Sequence, residues 1–573
     1  MRKSAAFSRV LLAGLVVGCA CLAVLPSPEA LAQSGSGGAG NGLVSLKKVA
    51  VPRPTNLADY VKDEAVAVKL GKALFWDMQA GGDGKHSCAS CHNAAGADNR
   101  TRNTLNPHGS GDYLVNADVT ASMFPIKTSL VVGSAGVRQT AFTGLADPLQ
   151  ASSGFPADLG TPVWDTEFYL GGSNIRHVTE RQAPSVINSV YYFLSNWDGS
   201  ARDTFNGVNT AGATPAAGNP KMVRVSPDGL LGLVSVSLNN SSLASQAVGP
   251  ANNPVEMSFK GRNFPQLGKK LLHPAVVPLG LQMVATDDSS LGPMSNGLNK
   301  GLNTRYADMV SQAFHPRWWN SSQCVDADKA PVADSAGCPN SFRVMEANFS
   351  LFWGLAIQLY QATLIADDTP FDRNALNVQQ RRGLEAYTGQ ARCGQCHNGP
   401  ELTKASVSKV LGSVPLDPTT GFFNTAVRPA AEDGGLKDVG LANRALFKTT
   451  HLRNVELTGP YFHNGGAATL MQVVDFYDRG GDFRSKFTDS QMRPLGLSKQ
   501  QKNDLVAFMI GLTDERVRNE SKPFDHPSLL IHNGANPDGT DSTTVLPAVG
   551  AGGRSALGLA PVQRFLGLDP FQP

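Results

Sequence analysis

The chain has 573 residues, with 50 Lys and Arg against 47 Asp and Glu and a net charge of +3. That balance is too mild to single out nucleic acid or an anionic membrane surface as a partner, and neither is expected. Charged residues make up 17% and hydrophobic ones 41%, with 59 Gly and 36 Pro, the composition of a globular protein rich in irregular structure and long enough for two to four units of about 150 residues.

In chain order, Met1-Arg2-Lys3, the apolar run 10–25 and Ala30-Leu31-Ala32 read as the n-region, h-region and cleavage site of an export signal over residues 1–32. The run is too short for a bilayer span, which needs roughly 20 residues, so a periplasmic protein is expected. Val16-Val17-Gly18-Cys19 also matches a lipobox, and lipid anchoring through Cys19 is the alternative. Residues 33–48 read as a flexible linker and 533–573 as an extended tail, both from their small and polar composition. Helical periodicity predicts helices at 57–76, 342–366, 378–391, 469–477 and 498–512. Segments 93–176, 203–243 and 286–340 are rich in Gly, Asn, Ser and Pro and read as long surface loops, with a short strand-like run at 231–236. Cys324 and Cys338 lack a third metal ligand nearby and are expected to form a disulfide.

Two of the predicted helices run into the same motif: Cys88-Ala-Ser-Cys91-His92 and Cys393-Gly-Gln-Cys396-His397. Two thiols three positions apart each form a thioether to a porphyrin edge, and the following histidine is delivered to iron. Cys88, Cys91, Cys393 and Cys396 are therefore expected to attach two haem c groups, with His92 and His397 as proximal ligands. The expected fold is mainly α, with two cytochrome-c-like haem domains (49–370 and 371–532) carrying long loop insertions.

Around these motifs stand Leu70-Gly71-Lys72-Ala73-Leu74-Phe75, Arg181-Gln182-Ala183-Pro184-Ser185-Val186-Ile187-Asn188, Trp197-Asp198-Gly199, Asn253-Pro254-Val255-Glu256-Met257, Ala362-Thr363-Leu364-Ile365 and Leu452-Arg453-Asn454-Val455-Glu456-Leu457-Thr458-Gly459-Pro460-Tyr461-Phe462-His463. In this order they resemble the bacterial di-haem cytochrome c peroxidases and their relative MauG, over roughly residues 57–515. The resemblance implies that the first haem meets peroxide and the second relays electrons. It also implies Glu256 as acid and base, Gln246 as the distal amide, and Trp197 as the conduit between haems, with Trp76 a second aromatic to consider. It further implies a calcium ion held by the carbonyls of Thr458 and Pro460, with Gln182 where the family has an asparagine.

The resemblance leaves two coordination questions open. Tyr477 stands where MauG has a tyrosine and the simple peroxidases a methionine, so it is the expected distal ligand of the second haem, with Met471 competing. A phenol oxygen favours oxidised iron, and a shared bis-Fe(IV) state would follow. On the first haem, His108 or His177 is the distal ligand, or the position is open. Hydrogen peroxide reduction fed by a small periplasmic cytochrome c or cupredoxin is the leading expectation, with a homodimer as one assembly. The alternatives are a MauG-like oxidase acting on a protein or organic substrate, oxidative C–C cleavage as in the distantly related rubber oxygenases, and a purely electron-transferring cytochrome.

Overall fold

A computed structural model describes residues 42–108, 115–127, 129–147, 157–436 and 444–573. The export signal and Cys19 lie outside the described residues. Twelve α-helices and seven small sheets, none wider than three strands, make up the regular structure among the described residues.

The helices start where a side chain can satisfy their first N–H groups. α1 (Glu64–Trp76) follows Asp63, whose carboxylate accepts from the backbone of Val66. It is shorter than the predicted 57–76 because Leu57–Asp59 forms a separate turn. α2 (Ser242–Ala247) lies between it and α3 (Phe349–Gln361) in sequence. The predicted helix 342–366 is broken at Asn348, whose side chain is spent on both backbone groups of Val223 and on the carbonyl of Trp318. α4 (Val378–Thr388) and α6 (Lys499–Ile510) each open with a reciprocal capping box, Asn377 with Gln380 and Ser498 with Gln501. α5 (Leu470–Asp478) is capped by Thr469.

Two helix crossings organise the interior, and each depends on a glycine. A Cβ on Gly71 would lie 1.9 Å from the carbonyl oxygen of Ala356, so α1 and α3 approach backbone to backbone there. Gly383 plays the same part between α4 and α6, where a Cβ would lie 1.9 Å from the oxygen of Asp504. Around the first crossing pack Leu70, Phe75, Phe352 and Ile357; around the second, Tyr387, Leu505 and Phe508. Each helix that leads into a Cys-x-x-Cys-His turn thus has its own apolar cluster, within one compact unit spanning Asn41–Pro573.

The segments expected as surface loops are partly interior. Val131, Val132, Ala135, Phe168 and Ile175 are buried, and short antiparallel pairs such as Thr140–Gly144 with Leu159–Pro162 and Met222–Val225 with Leu231–Val234 pair part of their backbone. Cys324 and Cys338 form the expected disulfide.

Both ends depart from their compositional reading. In the expected linker, Ser45 and Leu46 bond Asp372 at 3.0 Å and Leu46 is buried. The expected tail folds as an antiparallel hairpin, Leu529–Ala535 with Asp541–Leu546, followed by buried Val549, Val562 and Phe565. The Asn536-Pro537-Asp538-Gly539 turn between two runs of apolar residues accounts for the hairpin. No helix among the described residues is long and apolar enough to cross a membrane.

Candidate active site

The first motif forms a short turn, Cys88–Cys91, which α1 reaches through a further turn at Met78–Ala80. His92 Nδ1 lies 3.0 Å from the carbonyl of Gly96. That carbonyl accepts only, so the proton sits on Nδ1 and Nε2 is left as the free nitrogen a metal requires. Burial in the protein interior holds the imidazole below its ordinary pKa and pushes the thiols of Cys88 and Cys91 up to about 12 and about 11. His92 and both thiols face a partly open cavity whose walls include Phe75, Val186, Ile357, Gln246 and Glu256.

The two polar groups expected over the first haem therefore share a cavity with His92. Glu256 keeps a partly open face on that cavity yet sits deep in the protein, and the depth raises its carboxyl to about 7. Asn253, three residues earlier, uses both ends of its amide. Its oxygen accepts from the backbone of Val255 at 2.8 Å and its nitrogen donates to Glu256 Oε1 at 2.8 Å. The Asn-Pro-Val-Glu run is thus an Asx turn that aims the carboxylate. Gln246, on α2, donates to Asn196 Oδ1 at 3.0 Å.

Neither histidine expected as a distal ligand lines this cavity. His177 is paired with the carboxylate of Asp165 and packs on Phe168, ring centroids 4.5 Å apart. His108 turns toward the carbonyl of Glu432, 3.3 Å away. Each imidazole is held by these partners and away from the cavity, the arrangement that goes with the open position among the three expectations.

The second motif repeats the arrangement after α4. His397 Nδ1 lies 2.9 Å from the carbonyl of Thr450, and burial lowers its pKa to about 4. Cys393 and Cys396 are pushed up to about 12 and about 11. They border a larger, partly open space of about 1480 Å³ that also receives Trp197, Tyr461, Tyr477 and Met492. Tyr477, on α5, faces the same space as both cysteines; burial holds its phenol far above the usual range, and the Thr425 side chain bonds it. Met471, the competing ligand, packs instead in the apolar cluster of α4 and α6. Two methionines line the space, Met509 on α6 and Met492, and the sequence reading missed Met492 because only the fold of the chain after α5 brings it back.

Between the cavities runs the dipeptide Asn196-Trp197. Asn196 holds Gln246 of the first cavity, while Trp197 borders the second and stands edge-on to His463, centroids 6.1 Å apart. The indole N–H donates to the carbonyl of Gln182 at 2.7 Å. Gln182 is buried, its nitrogen donates to Asp98 at 2.8 Å, and its oxygen Oε1 has no hydrogen-bond partner. Lys448, whose backbone N–H donates to Trp197, is a second residue the sequence did not reveal. Its ammonium is buried 3.8 Å over the Tyr192 ring, borders the second cavity, and is pushed down to about 7 by desolvation.

Four recessed thiols without disulfide partners and two imidazoles with Nε2 free, each set facing its own cavity, define a di-haem c-type cytochrome. Residues 65–380 match the family model described as di-haem cytochrome c peroxidase, and the chain belongs to that family, which carries two c-type haems. Over 188 residues it is 37% identical to the cytochrome-c peroxidase IdrP1 of Pseudomonas sp. (strain SCT), covering 28% of this chain and 48% of that protein. Over 166 residues it is 31% identical to the methylamine utilization protein MauG of Methylorubrum extorquens, covering 28% of this chain and 43% of that protein. The chain thus spans about half the length of these curated relatives. Among solved structures, a MauG-like protein associated with microbial copper homeostasis shares 20% identity over 83% of this chain and 96% of its own, with a TM-score of 0.45.

Proposed function

We propose that the chain is a periplasmic di-haem peroxidase that reduces hydrogen peroxide to water with electrons from a small donor such as a cytochrome c or a cupredoxin. Its two halves, 49–370 and 371–532, act as cytochrome-c-like units, one for peroxide and one for electron entry. The observation that carries this reading is the placement of Glu256 and Gln246 in one cavity with His92, joined through Asn196-Trp197 to the cavity of His397. A cytochrome that only passed electrons would have no use for a buried acid beside the first histidine.

When bound, the haems would supply iron that exchanges electrons and, at the first site, takes up peroxide. The residues do the rest. His92 is held in the metal-binding tautomer by Gly96, and the Gln246 amide orients the oxidant. A carboxyl near neutral can take a proton from one peroxide oxygen and return it to the other, which leaves as water. Asn253 keeps Glu256 turned for both transfers. Trp197 lies on the route between cavities. The orphaned Gln182 Oε1 fits a hard cation, and it would bind calcium together with the carbonyls of Thr458 and Pro460.

A second reading, a MauG-like oxidase, draws on Tyr477: a phenol in the second cavity would make that haem itself easier to oxidise. Steady-state peroxide reduction by the holoenzyme with a reduced cytochrome c tests the first reading. Glu256→Gln is expected to lower kcat/KM by about 10²–10⁴-fold; a loss under about tenfold would remove Glu256 from the chemistry.

A further inference from the structure

On the Nδ1 side of His92, where Gly96 takes the ring's hydrogen bond, lies another small, partly open space. Trp76, Tyr360, Glu520 and His526 border it, together with Phe75 and His92. The indole of Trp76 is 4% exposed and donates to the hydroxyl of Tyr360 at 3.0 Å. Its face lies flat on the imidazole of His526, with centroids 4.7 Å apart and planes 11° from parallel. Phe75 links this pair to the metal ligand, 6.1 Å from Trp76 and 6.4 Å from His92 between ring centroids.

The charge around this indole is unusual for a core tryptophan. One helical turn back on α1, the ammonium of Lys72 meets Asp288 at 2.8 Å and Asp525 at 3.1 Å, all three side chains being essentially inaccessible. Two carboxylates against one ammonium give the trio an excess of one negative charge, which hydrogen bonds from Ser289, Ser290 and Leu291 meet with dipoles and not with a second cation. Glu520 adds a carboxylate 3.1 Å from His526 Nε2, itself paired with Arg554 at 2.8 Å. Trp353 shows the ordinary arrangement: its N–H donates to the carbonyl of Ala247 and its ring packs on Phe264 and Phe349. Keeping excess negative charge in the interior is costly unless something positive answers it, and a positive hole on the nearby indole would do so.

We propose that Trp76 is a second redox-active residue, on the proximal side of His92, which gives up an electron when peroxide is reduced and no donor is at hand. The proposal rests on the peroxide reading above. Breaking the O–O bond takes two electrons: one oxygen leaves as water with both of the peroxide's protons, and the other stays with the haem group and leaves as a second water only when donor electrons and solvent protons arrive. One electron comes from the haem group held by Cys88, Cys91 and His92, the other from the indole of Trp76. The indole keeps its N–H proton, because a neutral phenol such as Tyr360 is too weak a base to accept it, and becomes a radical cation stacked on His526. A donor electron arriving later restores it. Trp197 and Trp76 then have different tasks: one lies toward the second haem, the other stores a hole away from it.

The test uses ferric holoenzyme containing ring-deuterated tryptophan, mixed with one equivalent of hydrogen peroxide without donor, freeze-quenched and read by electron paramagnetic resonance. An organic radical narrowed by the deuterium, retained in Trp197→Phe and lost in Trp76→Phe, is the expected result. A radical that survives Trp76→Phe, or haem bands that shift with no tryptophan radical, overturns the proposal alone. Haem bands that do not respond to peroxide overturn the peroxide reading and this inference together. Should Trp76→Phe fail to take up haem, wild-type protein exposed to excess peroxide is digested and analysed by mass spectrometry. Oxygen added at Trp76 ahead of Trp353 is expected, and the reverse order overturns the proposal.

Discussion

Glu256 shows how one side chain acquires its role from its surroundings. An exposed glutamate is ionised well below neutrality, but this one is raised to about 7 by depth in the protein. In the role proposed for Glu256 the base form takes the first proton, and that form is present above about 7 and lost below it. Peroxide kcat/KM is therefore expected to fall close to tenfold per unit as pH drops below about 6, and to level off above about 8. A profile flat down to pH 5 would show that another group takes the proton. The same question of surroundings decides between Tyr477 and Met492 in the second cavity. If the phenol is the ligand, Tyr477→Phe changes the spin-state bands of the second haem while Met492→Leu leaves them unchanged; the opposite pattern assigns the sulfur. That Glu256 and Gln246 share one cavity and Tyr477 faces the other was legible through the family resemblance. Asn196 adjoins the Trp197-Asp198-Gly199 segment of that resemblance, but its bond to Gln246 spans fifty positions, and no local pattern encodes that.

At the scale of elements, the two haem motifs depend on how closely their leading helices approach a partner. Gly71 and Gly383 each stand where a methyl group would meet a backbone carbonyl of the crossing helix. Neither obstacle is a flexible side chain, so the helices themselves must part. Gly71→Ala is expected to destabilise the protein by about 1–3 kcal/mol, read as a lower denaturant midpoint for loss of the first haem's native absorption. An unchanged midpoint would mean that the α1–α3 crossing has slack. The five predicted helices were readable from periodicity to within a few residues at most ends, and Asn348 explains the one that breaks; Phe264–Leu271 and Tyr306–Ala313 were not read, the second lying inside an expected loop. The C-terminal hairpin was not read, although its turn residues were in plain sequence. Its composition resembles a solvated tail, and what pins it is distant: Arg176 pairs with Asp541 at 2.9 Å, and His532 stacks on His86, centroids 5.5 Å apart, beside the first motif.

Across the whole molecule, the chemistry depends on how the second haem's potential is set relative to its neighbour's, and Lys448 is placed to set it. Its ammonium is buried on the wall of the second cavity, with Tyr192 beneath it and its backbone bonded to Trp197. Asp198 is the one charge that helps hold its proton, and desolvation outweighs it, so the group titrates at about 7. A cation in a low-dielectric wall favours the form of a neighbouring centre that has gained an electron. Lys448→Met is therefore expected to lower the second haem's reduction potential by on the order of tens of millivolts, given that a one-electron shift of 59 mV corresponds to about tenfold in equilibrium constant. The first haem should be little affected. In the wild type the potential should also decline as pH rises from about 6 to about 8, as the ammonium loses its proton, and the variant should show a shallower slope. Spectroelectrochemical titration of both proteins reads each quantity directly. Equal potentials and equal slopes would assign Lys448 to packing over Tyr192 alone, and the driving force between the two haems would then have to come from their axial ligands.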